Sequence, residues 1–172
     1  CSDAAAVDGI SGNVDLDWFY LDALNGVCQG EDGNWYYYVN GEVDTTFTGL
    51  AQNQNGWWYV RNGMVDFSYY GVEQNGNGWW RIEAGRVNFD FNGFAENRNG
   101  WWYLESGKVQ LDRTDVIQGT VDGENGWWYV NNGKVTFTDS VEQNYNGWWR
   151  IEAGKVNFDF NGFAENRNGW WY

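Results

Sequence analysis

The sequence predicts an all-β fold, a solenoid of repeated β-hairpins, and three observations carry that reading. A tryptophan pair recurs behind an Asn-Gly dipeptide at Trp57-Trp58, Trp79-Trp80, Trp101-Trp102, Trp127-Trp128, Trp148-Trp149 and Trp170-Trp171, with starts 22, 22, 26, 21 and 22 residues apart. Short aromatic and β-branched runs flank Asn/Gly turns at the same interval, which is a hairpin signal. The polar stretches between them, such as residues 93–100, are too short and too rich in Gly and Asn for helices. A period of roughly 20 to 50 residues marks an array in which each unit buries its apolar face on its neighbours. Function is therefore expected on repeated surfaces rather than in one cleft.

Residues 1–32 stand outside the repeat, and there Trp18-Phe19-Tyr20-Leu21 followed by Asn25-Gly26-Val27 predicts a divergent hairpin that caps the first layer. The array runs over residues 33–172 as six to seven hairpin units, beginning with the degenerate pair Trp35-Tyr36 and stopping within a unit at Tyr172. In its clearest hairpin, Trp127 to Val130 leads into Asn131-Asn132-Gly133, where Gly supplies a positive φ, and Lys134 to Thr138 returns. The same hairpin reads from Trp57 through Gly63 to Phe67, from Trp79 through Gly85 to Phe89, and from Trp148 through Gly154 to Phe158. Strand alternation puts Trp127 and Tyr129 on one face and Trp128 and Val130 on the other. One Trp of each pair is thus expected in the core. An isolated hairpin is marginal in water, so stacking of units is obligatory.

A longer period overlies the first. Residues 77–103 and 146–172 differ only at Arg86 against Lys155, and Arg81 and Arg150 replace the Tyr that follows the Trp pair at Tyr59, Tyr103 and Tyr129. Three hairpins per turn of the solenoid would give units three apart the same surroundings, with Arg81 and Arg150 on one side. The stretch Leu111 to Gly119 is assigned the extra residues of the 26-residue spacing, as a junction between blocks.

Composition narrows the partners. With 24 Asp and Glu against 10 Lys and Arg, the formal charge is −14, which disfavours nucleic acid and anionic lipid. No apolar run approaches the length of a membrane span. The chain starts at Cys1 and stops in mid-repeat, and it reads as a segment of a longer extracellular polypeptide. Cys1 is either a lipidated lipoprotein N-terminus or the disulfide partner of Cys28. Acidic turns such as Asp122-Gly123-Glu124-Asn125, and Asp90 with Asn92, lack EF-hand spacing and read as solvated. No metal and no cofactor is called for.

The motif Gly126-Trp127-Trp128-Tyr129-Val130, the turn Asn132-Gly133 and the period together resemble the cell-wall-binding repeats of secreted Gram-positive proteins, whose best-known branch is the choline-binding repeat. Phrases such as Thr114-Asp115-Val116-Ile117-Gln118-Gly119-Thr120-Val121 resemble a variant in surface and secreted proteins of gut clostridia. The resemblance covers residues 33–172. It implies aromatic grooves between hairpins, which in the choline-binding branch cage a quaternary ammonium by cation–π attraction and are closed by a Met after the turn Gly. Here Val65, Val87, Val109, Val135 and Val156 stand two residues after that Gly, and Met64 is the only Met.

The groove residues expected from this reading are Trp57, Trp58, Tyr59, Trp79, Trp80, Trp101, Trp102, Tyr103, Trp127, Trp128, Tyr129, Trp148 and Trp149, with Arg81 and Arg150 at the rim. The expected role is non-catalytic, multivalent attachment to cell-wall polysaccharide or teichoic acid, including choline-bearing forms. The competing reading is a structural stalk or protein-interaction solenoid; a binding array keeps both Trp of each pair partly exposed, whereas a stalk hides them. Catalysis finds little support, since there is no His and the carboxylate pairs Glu83/Asp90 and Glu152/Asp159 recur inside structural repeats.

Overall fold

The computed structural model of the chain describes residues 24–172. The expected capping strand Trp18-Phe19-Tyr20-Leu21 and Cys1 lie outside the described residues, whereas Cys28 is buried. All regular structure among these residues is β. Two compact units are formed, residues 24–77 with 82–87, and residues 78–81 with 88–172. The first holds β1 (Gly26–Gln29), β2 (Trp35–Val39), β3 (Glu42–Val43), β4 (Gly49–Asn53), β5 (Gly56–Arg61), β6 (Met64–Val65), β7 (Gly71–Asn75) and β9 (Arg86–Val87); β8 (Gly78–Glu83) contributes to both. The second continues with β10 (Gly93–Asn97), β11 (Gly100–Glu105), β12 (Lys108–Val109), β13 (Asp115–Val121), β14 (Glu124–Asn131), β15 (Lys134–Val135), β16 (Ser140–Asn144), β17 (Gly147–Glu152), β18 (Lys155–Val156), β19 (Ala164–Asn166) and β20 (Gly169–Trp171).

The fold is a hairpin-repeat solenoid, and its repeat has three strands where the sequence suggests two. β10, β11 and β12 form one antiparallel meander, β4, β5 and β6 another, and β13 to β15 a third. The segment 93–100, expected as a linker, is strand β10 with its turn. Its Gly and Asn content disguises it, because Phe94 and Ala95 are buried while Asn97 supplies turn chemistry. Conversely, the return strand is only two residues long, and Phe67, Phe89 and Phe158 lie beyond it. The four extra residues of the long repeat (26 against 22) also sit elsewhere than at a block junction. They lengthen the β13–β14 hairpin, whose tip is Asp122-Gly123 with φ of 49° and 76°.

The turn between the second and third strands behaves as expected and does more. Asn132 and Gly133 take φ of 49° and 76°, and Asn62-Gly63, Ala84-Gly85, Ser106-Gly107 and Ala153-Gly154 repeat this type I′ shape. Each turn Gly is bonded through both backbone groups to the preceding repeat. Its carbonyl accepts from the residue after that repeat's Trp pair, as in Tyr37 N–H to Gly63 at 2.8 Å, Tyr59 to Gly85 at 2.7 Å, and Arg81 to Gly107, Tyr103 to Gly133 and Tyr129 to Gly154 at 2.8 Å. Its own N–H donates to the carbonyls of Phe47, Tyr69, Phe91, Arg113 and Thr138 in turn. A side-chain oxygen of the preceding repeat accepts from the N–H before the Gly, as Thr48 does for Asn62 and Asn92 for Ser106.

Each repeat contributes its own small core layer. Val60, Ile82, Leu104, Val130 and Ile151 are fully buried, and Val65, Val87, Val109, Val135 and Val156 lie beside them at 5% exposure or less. These last five are core residues, not groove closers. After β3, β6, β9 and β18 an Asx turn redirects the chain: the Asp44 carboxylate accepts from Thr46 N–H and hydroxyl, Asp66 does so from Ser68, and Asn88 and Asn157 accept from the N–H of Asp90 and Asp159.

Gly107→Ala should destabilise the second unit by at least about 2 kcal/mol, because a positive φ is combined with a Cβ that would collide with the Asn88 carbonyl. Gly123→Ala, equally left-handed but with no atom within 4 Å of its Cβ, should cost about 1 kcal/mol; urea titration of the two variants checks the contrast. The Ser68 and Thr46 hydrogen bonds hold the Asp66 and Asp44 carboxyls below their ordinary value of 3.8. Depressed folded-state values give stability that is full above the unfolded-state value and lost as pH falls through the folded one. The denaturation midpoint should therefore fall below pH of about 4, and less steeply in Ser68→Ala.

Candidate ligand-binding grooves

Both faces of the Trp-bearing strand are packed, each against a different repeat. The second Trp of a pair shares a face with the buried aliphatic residue two places on, as Trp128 does with Val130 in a cluster that includes Phe94, Val121 and Val135. The first Trp and the following Tyr turn the other way and meet the next repeat: Trp101 and Tyr103 pack on that same cluster, and Trp127 and Tyr129 pack on Val116, Ile151 and Val156. The alternation expected from sequence thus holds, but the expectation of one core Trp per pair does not: Trp128 is buried, whereas Trp58, Trp80, Trp102, Trp149 and Trp171 stay partly exposed.

Each second Trp has a repeated set of neighbours. Its indole N–H donates to an Asn five residues earlier, from Trp58 to Asn53 and Trp102 to Asn97 at 2.9 Å, and from Trp149 to Asn144 and Trp171 to Asn166 at 2.8 Å. The amide nitrogen of that Asn reaches back to the preceding repeat, to the carbonyl of Val27 from Asn53, of Val116 from Asn144 and of Val141 from Asn166. The ring stacks on the first Trp of the preceding repeat in the pairs Trp35–Trp58, Trp79–Trp102 and Trp148–Trp171, with centroids 6.5, 6.3 and 4.5 Å apart. A Phe nine residues on stands edge-on to it, in Trp58–Phe67, Trp80–Phe89, Trp128–Phe137 and Trp149–Phe158 at 5.4 to 6.1 Å. These four Phe are 48% to 63% exposed.

The position after the Trp pair carries a second pairing, with the residue ten places on. Tyr37 stacks on Phe47 at 4.1 Å and Tyr59 on Tyr69 at 4.0 Å. Where Arg replaces Tyr, cation–π contact replaces ring stacking: Arg81 lies 5.1 Å from the Phe91 centroid and Arg150 5.5 Å from that of Phe160. Arg150 also pairs with Asp139 and Glu152, so these guanidiniums are held by the fold. Burial raises the Tyr69, Tyr103 and Tyr129 phenols above their ordinary value, and hydrogen bonds to Glu73 and Glu105 raise the first two further. These hydroxyls stay neutral at any physiological pH.

The structure therefore brings most of the expected Trp, Tyr and Arg residues into the repeat interfaces, with Trp148 39% exposed and Trp128 only 5%. Sequence reasoning passed over the edge-on Phe, the clamping Asn, and the residue directly after the turn Gly. That residue is Met64, Arg86, Lys108, Lys134 or Lys155, and each stands opposite the second aromatic of the preceding repeat. Their recurrence at one repeat position was the available signal.

The family model of the choline-binding repeat matches residues 25–44, 46–66, 68–88, 90–110, 118–136, 139–157 and 159–172. The chain belongs to the choline-binding repeat family. A solved structure similar to it is choline binding protein F from Streptococcus pneumoniae, in its crystal form II, at 21% identity over 87% of this chain and 49% of that one, with a TM-score of 0.34. The chain thus spans about half the length of that protein. No curated protein matches it. Family membership makes the chain a repeat module of the cell-surface binding class.

Asn144→Ala would remove an 8%-exposed amide that joins the Trp149 indole, the Asn146 N–H and the Val116 carbonyl. A loss of about 2 to 3 kcal/mol in unfolding free energy is expected, read by urea titration. Asn168→Ala, whose N–H alone is bonded to Asn166, should stay within about 0.5 kcal/mol of the parent.

Proposed function

We propose that this chain attaches its parent protein to the envelope of a Gram-positive bacterium by binding cell-wall polysaccharide or teichoic acid at many weak, repeated aromatic corners, without catalysis. The observation that supports this reading is the half-exposed Phe set edge-on to a Trp in repeat after repeat, at Phe67, Phe89, Phe137 and Phe158. Apolar rings left in water at a fixed repeat position add little to the core and suit a polymer of matching periodicity. The exposed face of such a ring can stack on the apolar face of a pyranose. Corners linked on one scaffold raise the apparent affinity by about two to four powers of ten over a single corner. The net charge of −14 favours the neutral or cation-bearing stretches of such polymers over their phosphate-rich ones.

Co-sedimentation with purified Gram-positive sacculi should pellet the chain. Phe89→Ala and Phe137→Ala should each weaken pelleting several-fold and together more than either alone, with denaturation midpoints near the parent's. Failure to pellet with any wall preparation would sink the reading and leave a structural or protein-binding stalk.

A further inference from the structure

The indole faces that would attract a cationic ligand are already occupied by the chain's own cations. The Arg86 guanidinium carbon lies 5.4 Å from the Trp58 ring centroid, and the ammonium of Lys108 lies 5.3 Å from Trp80, that of Lys134 5.7 Å from Trp102, and that of Lys155 5.7 Å from Trp128. In each case the cation comes from the residue directly after the turn Gly of the following repeat. Backbone pairing fixes the match, since Trp58 stands opposite Arg86, Trp80 opposite Lys108, Trp102 opposite Lys134 and Trp128 opposite Lys155.

Two further features show that these side chains are seated and not merely nearby. The stem of each cation crosses the Gly before the Trp pair, where a Cβ would meet Lys108 Cε at 2.7 Å at Gly78, Lys134 Cε at 3.0 Å at Gly100 and Arg86 Nε at 3.3 Å at Gly56; at Gly126 it would collide with Lys155 Cε. Two of the head groups are also tethered: Arg86 donates to the Asn55 carbonyl at 2.6 Å, and Lys155 pairs with Glu124.

We propose that Arg86, Lys108, Lys134 and Lys155 act as built-in ligands that close the cation sites at Trp58, Trp80, Trp102 and Trp128 against quaternary ammonium groups. The inference rests on the reading of the chain as an aromatic binding array and narrows its ligand to the sugar portion of a wall polymer at these four positions. A quaternary ammonium would have to displace a covalently tethered cation, whose effective concentration at the ring is far above that of a free ligand. Seven of the ten Lys and Arg side chains, counting Arg61, Arg81 and Arg150 with these four, lie over aromatic rings. Most of the positive charge of this acidic chain is thus committed to its own π faces. The first repeat differs, because Met64 stands opposite Tyr36 where the other repeats place a cation.

The test follows the indole N–H resonance of Trp102 during choline titration of the whole chain. It should stay in place in the parent and in Lys134→Arg, which keeps the cation. In Lys134→Met, which copies Met64 and keeps an apolar stem over Gly100, it should shift saturably, with choline affinity at this site gained roughly tenfold or more. Lys155→Met should do the same for Trp128 and serves if Lys134→Met does not fold. A saturable shift of Trp80, Trp102 or Trp128 in the parent overturns the proposal, as does a folded Met variant whose Trp ignores choline. Sacculus binding separates the two readings. A parent that pellets and is released by choline with those indole shifts retains wall binding and refutes the closure, whereas a parent that never pellets while Lys134→Met gains a choline site does the reverse.

Discussion

Everything in this fold depends on a glycine at the tip of a two-residue turn. Its left-handed backbone lets the second strand of a repeat fold back on the third, and its bare Cα lets the tip sit on the preceding repeat. There its carbonyl and N–H are both hydrogen-bonded, at Gly63, Gly85, Gly107, Gly133 and Gly154 alike. A single joint of this kind is worth little, but it sets the register of each repeat on the one before it. That register places the residue after the Gly opposite the second Trp of its neighbour, and so decides which side chains can meet across the interface.

The aromatic residues divide the work between them. First-position Trp and third-position Tyr or Arg fasten a repeat to its successor, while second-position Trp closes the layer of its own repeat and is held through its indole N–H by Asn. Because that Asn also donates to the preceding repeat from Asn53, Asn144 and Asn166, one amide ties three elements. In the long repeat the Asn position is Gly119, whose carbonyl accepts from Trp128 at 3.2 Å; a side chain there would collide with the Phe94 ring at 2.7 Å. The extended β13–β14 hairpin thus keeps the Trp clamp by a backbone route.

The turns were legible because Asn-Gly pairs carry their own conformation: Asn132-Gly133 needs no tertiary contact to prefer φ above zero. The first strand of each repeat was not, since Gly93, Glu96 and Asn97 look like loop and only Phe94 and Ala95 face the core. The groove residues were recognised as types but not as an arrangement. Nothing in the run Gly-Trp-Trp-Tyr says that its second ring will receive a lysine from 28 or 32 residues further on, as the pairs Trp80–Lys108 and Trp102–Lys134 do. Arg81 and Arg150, expected at a groove rim, are stacked on Phe91 and Phe160, a partner ten residues away that the spacing Tyr59–Tyr69 already foreshadowed.

The duplicated stretches 77–103 and 146–172 separate what sequence determines from what only tertiary structure decides. Local chemistry is the same in both: Ala84-Gly85 and Ala153-Gly154 take the same turn, Ile82 and Ile151 are equally buried, and Trp102 and Trp171 bond the same Asn. Burial and capping come from the neighbouring repeat instead. Phe94 is 8% exposed because Val121 and Trp128 of the following repeat cover it, and Lys134 caps Trp102. Turn geometry and strand pairing arise within about 20 residues and are written in them, whereas the state of an aromatic face is set by whichever repeat packs upon it.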